Sequence, residues 1–461
     1  KKFTQKALVM NFEQNENQKM IAQMVRDFAE KEIRPYLNQW DNDEYFPVET
    51  MKKMGELGLL GIYIPEEYGG SGFSYDEYAT ALMELGKVCG GVGLSVAAHN
   101  SLCTGHIYYH GSEAQKKKYL PKLASGEWFG AYCLTEPGAG SDANSGKTTA
   151  ELTDDGKHYK INGQKMWISN AGFADLFIVF AKIEQDDKLS AFIVEKEFGG
   201  IILGEEEKKL GIKGSSTRQV FFEDCPVPME NLLGKRNEGF KIALNILNSG
   251  RIKLSAAALG GAKFGMRKAV RYANERHQFG KRIGDFTAMQ YKIGEMARKI
   301  FGAESAIYRT GKNIDLKELE LKENGVALNE IKVKALRDYT VECSLMKVYG
   351  SEVLDYCVDE SLQIHGGMGY SVETKVEMGY RDARITRIYE GTNEINRMLS
   401  FGELMKKGFQ TKEIDTKSIS KKIPFEIFKK IIGIRKTTKD IIIENFKYLF
   451  FILSKYATDS F

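Results

Sequence analysis

Glu390 stands in RIYEGTNE, residues 387–394, a carboxylate set before a Gly-Thr turn. Arg381, Arg384 and Arg387 lie upstream and a fresh helical pattern lies downstream. Glycine lets the backbone reverse without a Cβ clash, and Thr392 can cap the helix that follows. Glu390 then projects from a turn with its own amide free to meet a ligand oxygen. A lone Glu beside a turn is by default a solvated side chain, so the other stretches of this kind matter. Residues 132–142, YCLTEPGAGSD, form a loop whose amides around Gly138 and Gly140 can bond the polar edge of a planar heterocycle and admit a substrate closely. Residues 165–170, KMWISN, place Trp167 and Ser169 on a neighbouring strand, where a lone Trp would by default be core. Residues 276–280, RHQFG, end a long helix, where an arginine by default complements the helix dipole. Residues 363–369, QIHGGMG, offer glycines for close backbone approach, and 248–251, NSGR, puts a costly glycine inside a helix. His365 has no metal-ligand partner at sensible spacing and reads as structural or interface-lining.

The elements that must position these residues follow an α, β, α order. Ile21, Met24, Val25, Phe28 and Ile33 recur at helical spacing until Pro35. Helical texture continues through residues 75–111 and 114–123, so 1–129 reads as a helical domain. The glycines of 64–72 lie in no strand–GxGxxG–helix unit, which argues against a Rossmann site. Residues 130–240 alternate in short runs and read as a β-barrel or sandwich domain, with Asn162-Gly163 predicting a hairpin turn. Helical periodicity then fills 241–408, with interruptions expected near Gly280, Asn313 and Gly366. Residues 409–461 read as a linker and a basic amphipathic helical tail. The fold class is thus α+β multidomain: two helical domains around a β domain, and a helical appendage.

Composition narrows the function. The 461 residues are 43% hydrophobic and 28% charged, with formal net charge +4, so no global field for nucleic acid or membrane is present. The charge is uneven: residues 406–461 hold thirteen Lys and Arg against six Asp and Glu. Six scattered cysteines with no CxxC pair fit reduced thiols and argue against structural zinc. No apolar run reaches the roughly 18–20 residues of a membrane helix. The chain begins at Lys1 rather than Met, which leaves targeting open.

In order and spacing, these segments resemble the signature segments of the acyl-CoA dehydrogenases, over about residues 15–405. The chain looks most similar to the very-long-chain branch, which also carries a C-terminal extension. The resemblance implies a helical N-terminal domain, a middle β domain, a C-terminal four-helix-bundle domain and FAD as cofactor. It implies that Tyr132, Leu134, Thr135, Trp167 and Ser169 surround the flavin. It implies that Arg276, Gln278, Phe279, Gln363, Gly366 and Gly367 hold the pyrophosphate and adenosine half across a subunit interface, with Thr392 and Glu394 also at the cofactor. Ser141, Leu247, Asn248, Gly250, Arg251, Tyr389 and Gly391 are expected at the substrate, Arg251 near the CoA adenine. Some relatives carry the catalytic Glu at the position of Gly250; with Gly there, Glu390 is the expected base.

The implied reaction is α,β-dehydrogenation of a fatty acyl-CoA to the trans-2-enoyl-CoA. Glu390 removes the α-proton, the β-hydride leaves to the flavin, and electrons pass to an electron-transferring flavoprotein. Alternatives are an acyl-CoA oxidase on the same fold, a flavin monooxygenase or nitroalkane oxidase (disfavoured by Glu390), and a scaffold or assembly protein. Gly90, Gly91, Gly93, Ser95, Ala97 and Ala98 are expected to leave room in the acyl pocket for chains of C12 and above. The expected assembly is a homodimer or homotetramer, without nucleic acid, in a bacterial cytoplasm or mitochondrial matrix. The tail is expected to pack on the body or to touch an anionic membrane.

Overall fold

The first helix shows how local sequence sets the elements. In the computed structural model, which describes residues 13–411, α1 spans Glu16–Glu32. Asn15 accepts from the Gln18 amide (2.7 Å) and Gln18 accepts from the Asn15 amide (2.8 Å), a reciprocal cap that satisfies two orphan donors. Ile21, Ala22, Val25 and Ala29 form its buried face, and Pro35 follows in a 3₁₀ turn. Helices α2 (Leu37–Asp43), α3 (Val48–Glu56), α4 (Tyr75–Gly86), α5 (Gly90–Ala97), α6 (Gly105–His110) and α7 (Glu113–Ser125) complete this first helical segment. Between α5 and α6 the chain keeps winding as a π-helical segment, Ala98–Thr104.

Strands β1 (Gly130–Cys133), β2 (Thr149–Leu152), β3 (His158–Ser169), β4 (Leu176–Ile183), β5 (Leu189–Glu195), β6 (Ile201–Glu206), β7 (Thr217–Pro228) and β8 (Leu232–Leu233) form one mixed sheet. Its order is β6-β7-β3-β2-β4-β5-β8, with β1 parallel to β4. Strand period 2 decides what each side chain packs on. On β4, Phe177, Val179 and Ala181 join an inner core with Ile161, Phe192 and Val220. The alternate residues Leu176, Ile178 and Phe180 join the core that the helices share.

The hairpin expected at Asn162-Gly163 is not there. The turn joining β2 to β3 lies at residues 153–158, where Gly156 has φ +67 and the Thr153 amide bonds the His158 carbonyl. Asn162 instead sits inside β3 at a bulge against β7. Its side chain accepts from the Asp224 amide (2.8 Å) and donates to the Asp224 carboxylate (3.0 Å). The dipeptide that favours a turn here serves an irregular strand.

The second helical segment holds α8 (Gly239–Glu275), the short pair β9 (His277–Gln278) and β10 (Lys281–Arg282), α9 (Thr287–Glu323) and α10 (Leu328–Asp338). Then come α11 (Thr340–His365), α12 (Gly367–Tyr370), α13 (Val376–Ala383) and α14 (Asn393–Thr411). The break expected near Asn313 is absent: α9 runs through it, because Thr310, Gly311 and Ile314 are buried and tertiary packing overrides local propensity. The segments read as three domains form one compact unit up to Ser400, and Phe401 onward belongs to a second. The basic tail, expected over 409–461, lies outside the described residues beyond Thr411, as do residues 1–12. No described helix is long and apolar enough to cross a membrane.

Candidate active site

Two consecutive left-handed residues build the turn before α14: Glu390 at φ +54 and Gly391 at φ +83. Glycine adopts this readily; for a glutamate it is strain of about 1–3 kcal/mol that surrounding contacts must hold. Those contacts converge on the turn's carbonyls. The Lys347 ammonium donates to the Gly391 carbonyl and to Asn393 Oδ1, both at 2.8 Å. Asn396 Nδ2 donates to the same carbonyl (2.8 Å), and Thr392 Oγ1 caps α14 by accepting from the Ile395 amide (3.3 Å). Arg251 lies beneath the turn, its Nε 3.5 Å from the Glu390 carbonyl and its Nη1 2.9 Å from Asn248 Oδ1.

The carboxyl that this turn presents is buried and its acidity is shifted. Glu390 borders a cavity, while its Oε2 is enclosed and has no hydrogen-bond partner. Burial pushes its pKa up to about 7, opposed by the charges of Arg251, Lys347 and Lys253. A carboxylate poised near neutrality is matched to proton abstraction at working pH. Gly250 on α8 faces it directly: a Cβ there would sit 2.6 Å from Glu390 Oε2. A side chain at 250 would make the carboxyl shift.

From Glu390 an apolar channel runs between α5, α8, α11 and α13, lined by Gly90, Gly93, Ala97, Leu254, Ala258 and Gly261 among others. Of the six small residues expected along it, Gly90, Gly93 and Ala97 reach the lining. Gly91 faces Gly214, while Ser95 and Ala98 are buried outside that lining. The α8 residues of the lining extend from Leu254 to Lys268, about 21 Å of helix at ~1.5 Å per residue.

On the sheet side, Tyr132 lies within β1 with its hydroxyl enclosed and unpartnered, and the Glu390 charge adds to burial in raising the phenol's pKa. The loop after it is pinned from below. Lys165 on β3 is fully buried and donates to Glu136 (2.6 Å) and to the Phe180 (2.7 Å) and Leu134 (3.3 Å) carbonyls. Glu136 in turn accepts from Thr148 Oγ1 (2.6 Å). With the loop's base fixed, Gly138 and Gly140 are left in open space and Ser141 is exposed. The Thr135 carbonyl accepts from the Met166 amide (2.9 Å), which ties the loop to β3 next to Trp167. Trp167 is 53% exposed at φ +59, a large apolar ring held in a strained backbone and left uncovered.

A second group gathers where α11 ends. Arg276 and Gln278 line one groove with Gly366, Gly367 and His365. No Cβ added at Gly366 or Gly367 would meet anything within 4 Å. Phe279, 92% exposed at φ +54, and Gln363, also exposed, flank this groove without lining it. His365 stacks on Tyr272 (centroids 4.3 Å apart), and no metal-binding group of three occurs among the described residues.

The chain matches family models along nearly this whole length: the acyl-CoA dehydrogenase N-terminal domain over 15–127, middle domain over 131–225 and C-terminal domain over 237–402. It is 41% identical over 400 residues to a Clostridium acetobutylicum protein named acyl-CoA dehydrogenase, short-chain specific, covering 86% of this chain and 100% of that one. The chain belongs to the acyl-CoA dehydrogenase family. A Bacillus subtilis protein named a probable acyl-CoA dehydrogenase is 48% identical, over 85% of this chain and 66% of its own length. The human protein named very long-chain specific acyl-CoA dehydrogenase, mitochondrial, is 41% identical, over 85% of this chain and 58% of its own. Among solved structures, an acyl-CoA dehydrogenase complexed with FAD from Bacillus anthracis superposes with TM-score 0.84 at 45% identity, covering 88% of this chain and 71% of that one.

Within this acyl-CoA dehydrogenase frame, two expectations change. Arg251 was expected at the CoA adenine; it is 2% exposed and bonds Asn248, Ser344 and the Glu390 carbonyl, a place under the turn. Asn248, expected at the substrate, is buried and bonded to Thr340 and Arg251, whereas Leu247 is half-buried. Tyr389 lines the channel beside Glu390, and Glu394 is exposed in the first turn of α14. Sequence reasoning gave no role to Lys347, Asn396 or the Glu136–Lys165 pair. A signal existed for the first: Ser344, Lys347 and Ser351 make a polar stripe at helical spacing in an otherwise buried helix.

Proposed function

We propose that the chain is an FAD-dependent dehydrogenase of long-chain fatty acyl-CoA, forming the trans-2-enoyl-CoA and passing electrons to an electron-transferring flavoprotein. The observation that carries this is Glu390: an enclosed carboxyl near neutrality on a left-handed backbone, bordering an apolar cavity whose lining on α8 reaches from Leu254 to Lys268.

The residues fit FAD. The unpartnered Tyr132 hydroxyl, the open space over Gly138, Gly140, Gly366 and Gly367, and uncovered Trp167 are features a planar cofactor would satisfy. Tyr132, Leu134, Thr135, Trp167 and Ser169 would hold its ring; Arg276, Gln278 and the Gly366–Gly367 turn would hold a pyrophosphate, in a second subunit's site. FAD, when bound, supplies the hydride acceptor. This chain's residues do the rest. Glu390 takes the α-proton, Lys347, Asn396 and Arg251 hold the turn that aims it, and the channel excludes water, which keeps the carboxylate basic. The Glu390 amide is the donor proposed for the thioester oxygen.

The channel bears on chain length. An alkyl chain advances roughly 1.3 Å per carbon, given C–C bonds of ~1.5 Å at tetrahedral angles. About 21 Å of lined helix therefore suits some sixteen carbons, each adding about 0.8 kcal/mol when buried. The short-chain relative argues the other way, and the test is direct. Measured with acyl-CoAs from C4 to C18, kcat/KM is expected to peak at C12 or above; a peak at C4–C6 would reject the long-chain reading.

A further inference from the structure

The channel does not end in apolar side chains. At the end remote from Glu390 its lining includes Lys268 on α8 and Lys375 before α13, next to Phe264. The Phe264 ring gathers three cations: Arg34 at 5.6 Å, Arg267 at 5.7 Å and Lys268 at 5.6 Å. Nearby carboxylates are already engaged, Glu30 with Arg34 and Glu275 with Arg271. Lys268 and Lys375 have no ion-pair or hydrogen-bond partner among the described residues, whereas Arg267 lies within the field of the Glu30 carboxylate. The carboxyls that line the channel, Asp382 and Glu390, are placed elsewhere: Asp382 bonds the Ile212 amide, and Glu390 faces Gly250. Burial, and then the charges of Arg34, Lys375, Arg271 and Arg267, push the Lys268 pKa down, although Glu30 pairs with Arg34 and Glu275 with Arg271. An apolar tube needs no such end to hold a methyl group.

We infer that the far end of the channel receives a carboxylate, so that the enzyme accepts long-chain acyl-CoAs carrying a second, ω-terminal carboxyl group. The inference rests on the long-chain reading proposed above and narrows its substrate class. Spacing supports it. From Gly250, which faces the base, to Lys268 is about 27 Å of α8 at ~1.5 Å per residue. A lysine stem of four methylenes reaches back several ångströms from there, which brings its ammonium to the ω-carbon of a chain of about sixteen carbons. In an apolar channel without cations, a terminal carboxylate would be rejected, because its desolvation is uncompensated. With two ammonium groups at the end, it gains charge-assisted hydrogen bonds.

The test compares hexadecanedioyl-CoA with palmitoyl-CoA on the flavin-replete enzyme, in wild type and in Lys268→Met, Lys375→Met and the double variant. Methionine keeps the apolar stem, and thermal melting checks each fold. The wild type is expected to oxidise the two substrates with kcat/KM within about tenfold. The ratio of dioyl to palmitoyl should fall about tenfold to a hundredfold in the double variant, and by less in each single one, as loss of charged hydrogen bonds implies. A wild-type ratio below one hundredth, or a ratio unmoved by the double substitution, overturns the inference. So does competitive inhibition by free palmitate that the double variant abolishes while hexadecanedioyl-CoA is not oxidised, since the carboxylate would then belong to a separate molecule. If palmitoyl-CoA itself is not oxidised while butyryl-CoA is, the long-chain reading falls, and the inference falls with it.

Discussion

At the scale of residues, the proposed chemistry depends on one carboxyl and the charges around it. Glu390 was legible because a Glu before Gly-Thr is a local pattern; the groups that tune it were not, because they arrive from distant helices. Lys253 is the clearest case. It is fully buried, its ammonium lies 4.1 Å and 4.4 Å from the Tyr63 and Tyr78 ring centres, and it acts electrostatically on Glu390. In the sequence it is one more lysine in a helix. The titration of Glu390 has two consequences. As a base it must be ionised, so kcat/KM is expected to rise with pH up to about 7 and level off above. For stability, the folded carboxyl holds its proton to about 7 and the unfolded one only to about 4.5. The stabilisation from the neutral acid is therefore complete below the lower value and lost as pH rises through the upper. Glu390→Gln mimics the neutral acid at every pH. It is expected to match wild type near pH 4.5 and to exceed it at pH 8 by about 3 kcal/mol, from ~1.4 kcal/mol per pH unit. Equal chemical-denaturation midpoints at pH 8 would show that Glu390 is not held in a desolvated site.

At the scale of elements, segment types were readable and their irregularities were not. Periodicity located the helices flanking the sheet, yet Asn162-Gly163 became a bulge and Asn313 a helix interior, because partners far away in sequence chose the outcome. The loop after β1 shows the same limit. Its glycines announced a ligand loop, while the pair that fixes it, Glu136 and Lys165, reads locally as solvated polar positions. Removing one partner of such a buried pair leaves a bare charge and costs about 3–5 kcal/mol. Lys165→Met is expected to lose that much stability and to shed flavin more readily, because the loop bearing Leu134 and Thr135 loses its anchor. Unchanged thermal stability would mean that Glu136 finds another partner. Gly250 belongs to this scale too: its meaning appears only when α8 is laid against the turn before α14.

For the whole molecule, the order of helical, sheet and helical domains was legible, and the sharing of β4 between two cores through its alternate residues was not. The groove of Arg276, Gln278, Gly366 and Gly367 is solvent-facing in a single chain, which is what a cofactor shared between subunits requires. Arg276→Ala is expected to weaken flavin retention while leaving the melting of the flavin-free protein near wild type, and the flavin-replete enzyme is expected to be at least a dimer by light scattering. A flavin-replete monomer would rule out the shared site. The central claim is that Glu390 starts the oxidation of an acyl-CoA, and anaerobic mixing with palmitoyl-CoA tests it most directly, by following the visible absorption of the flavin. Rapid bleaching is expected in wild type, and in Glu390→Gln a retained flavin that binds the thioester but bleaches slower by several orders of magnitude. Bleaching of Glu390→Gln at near the wild-type rate would contradict the claim.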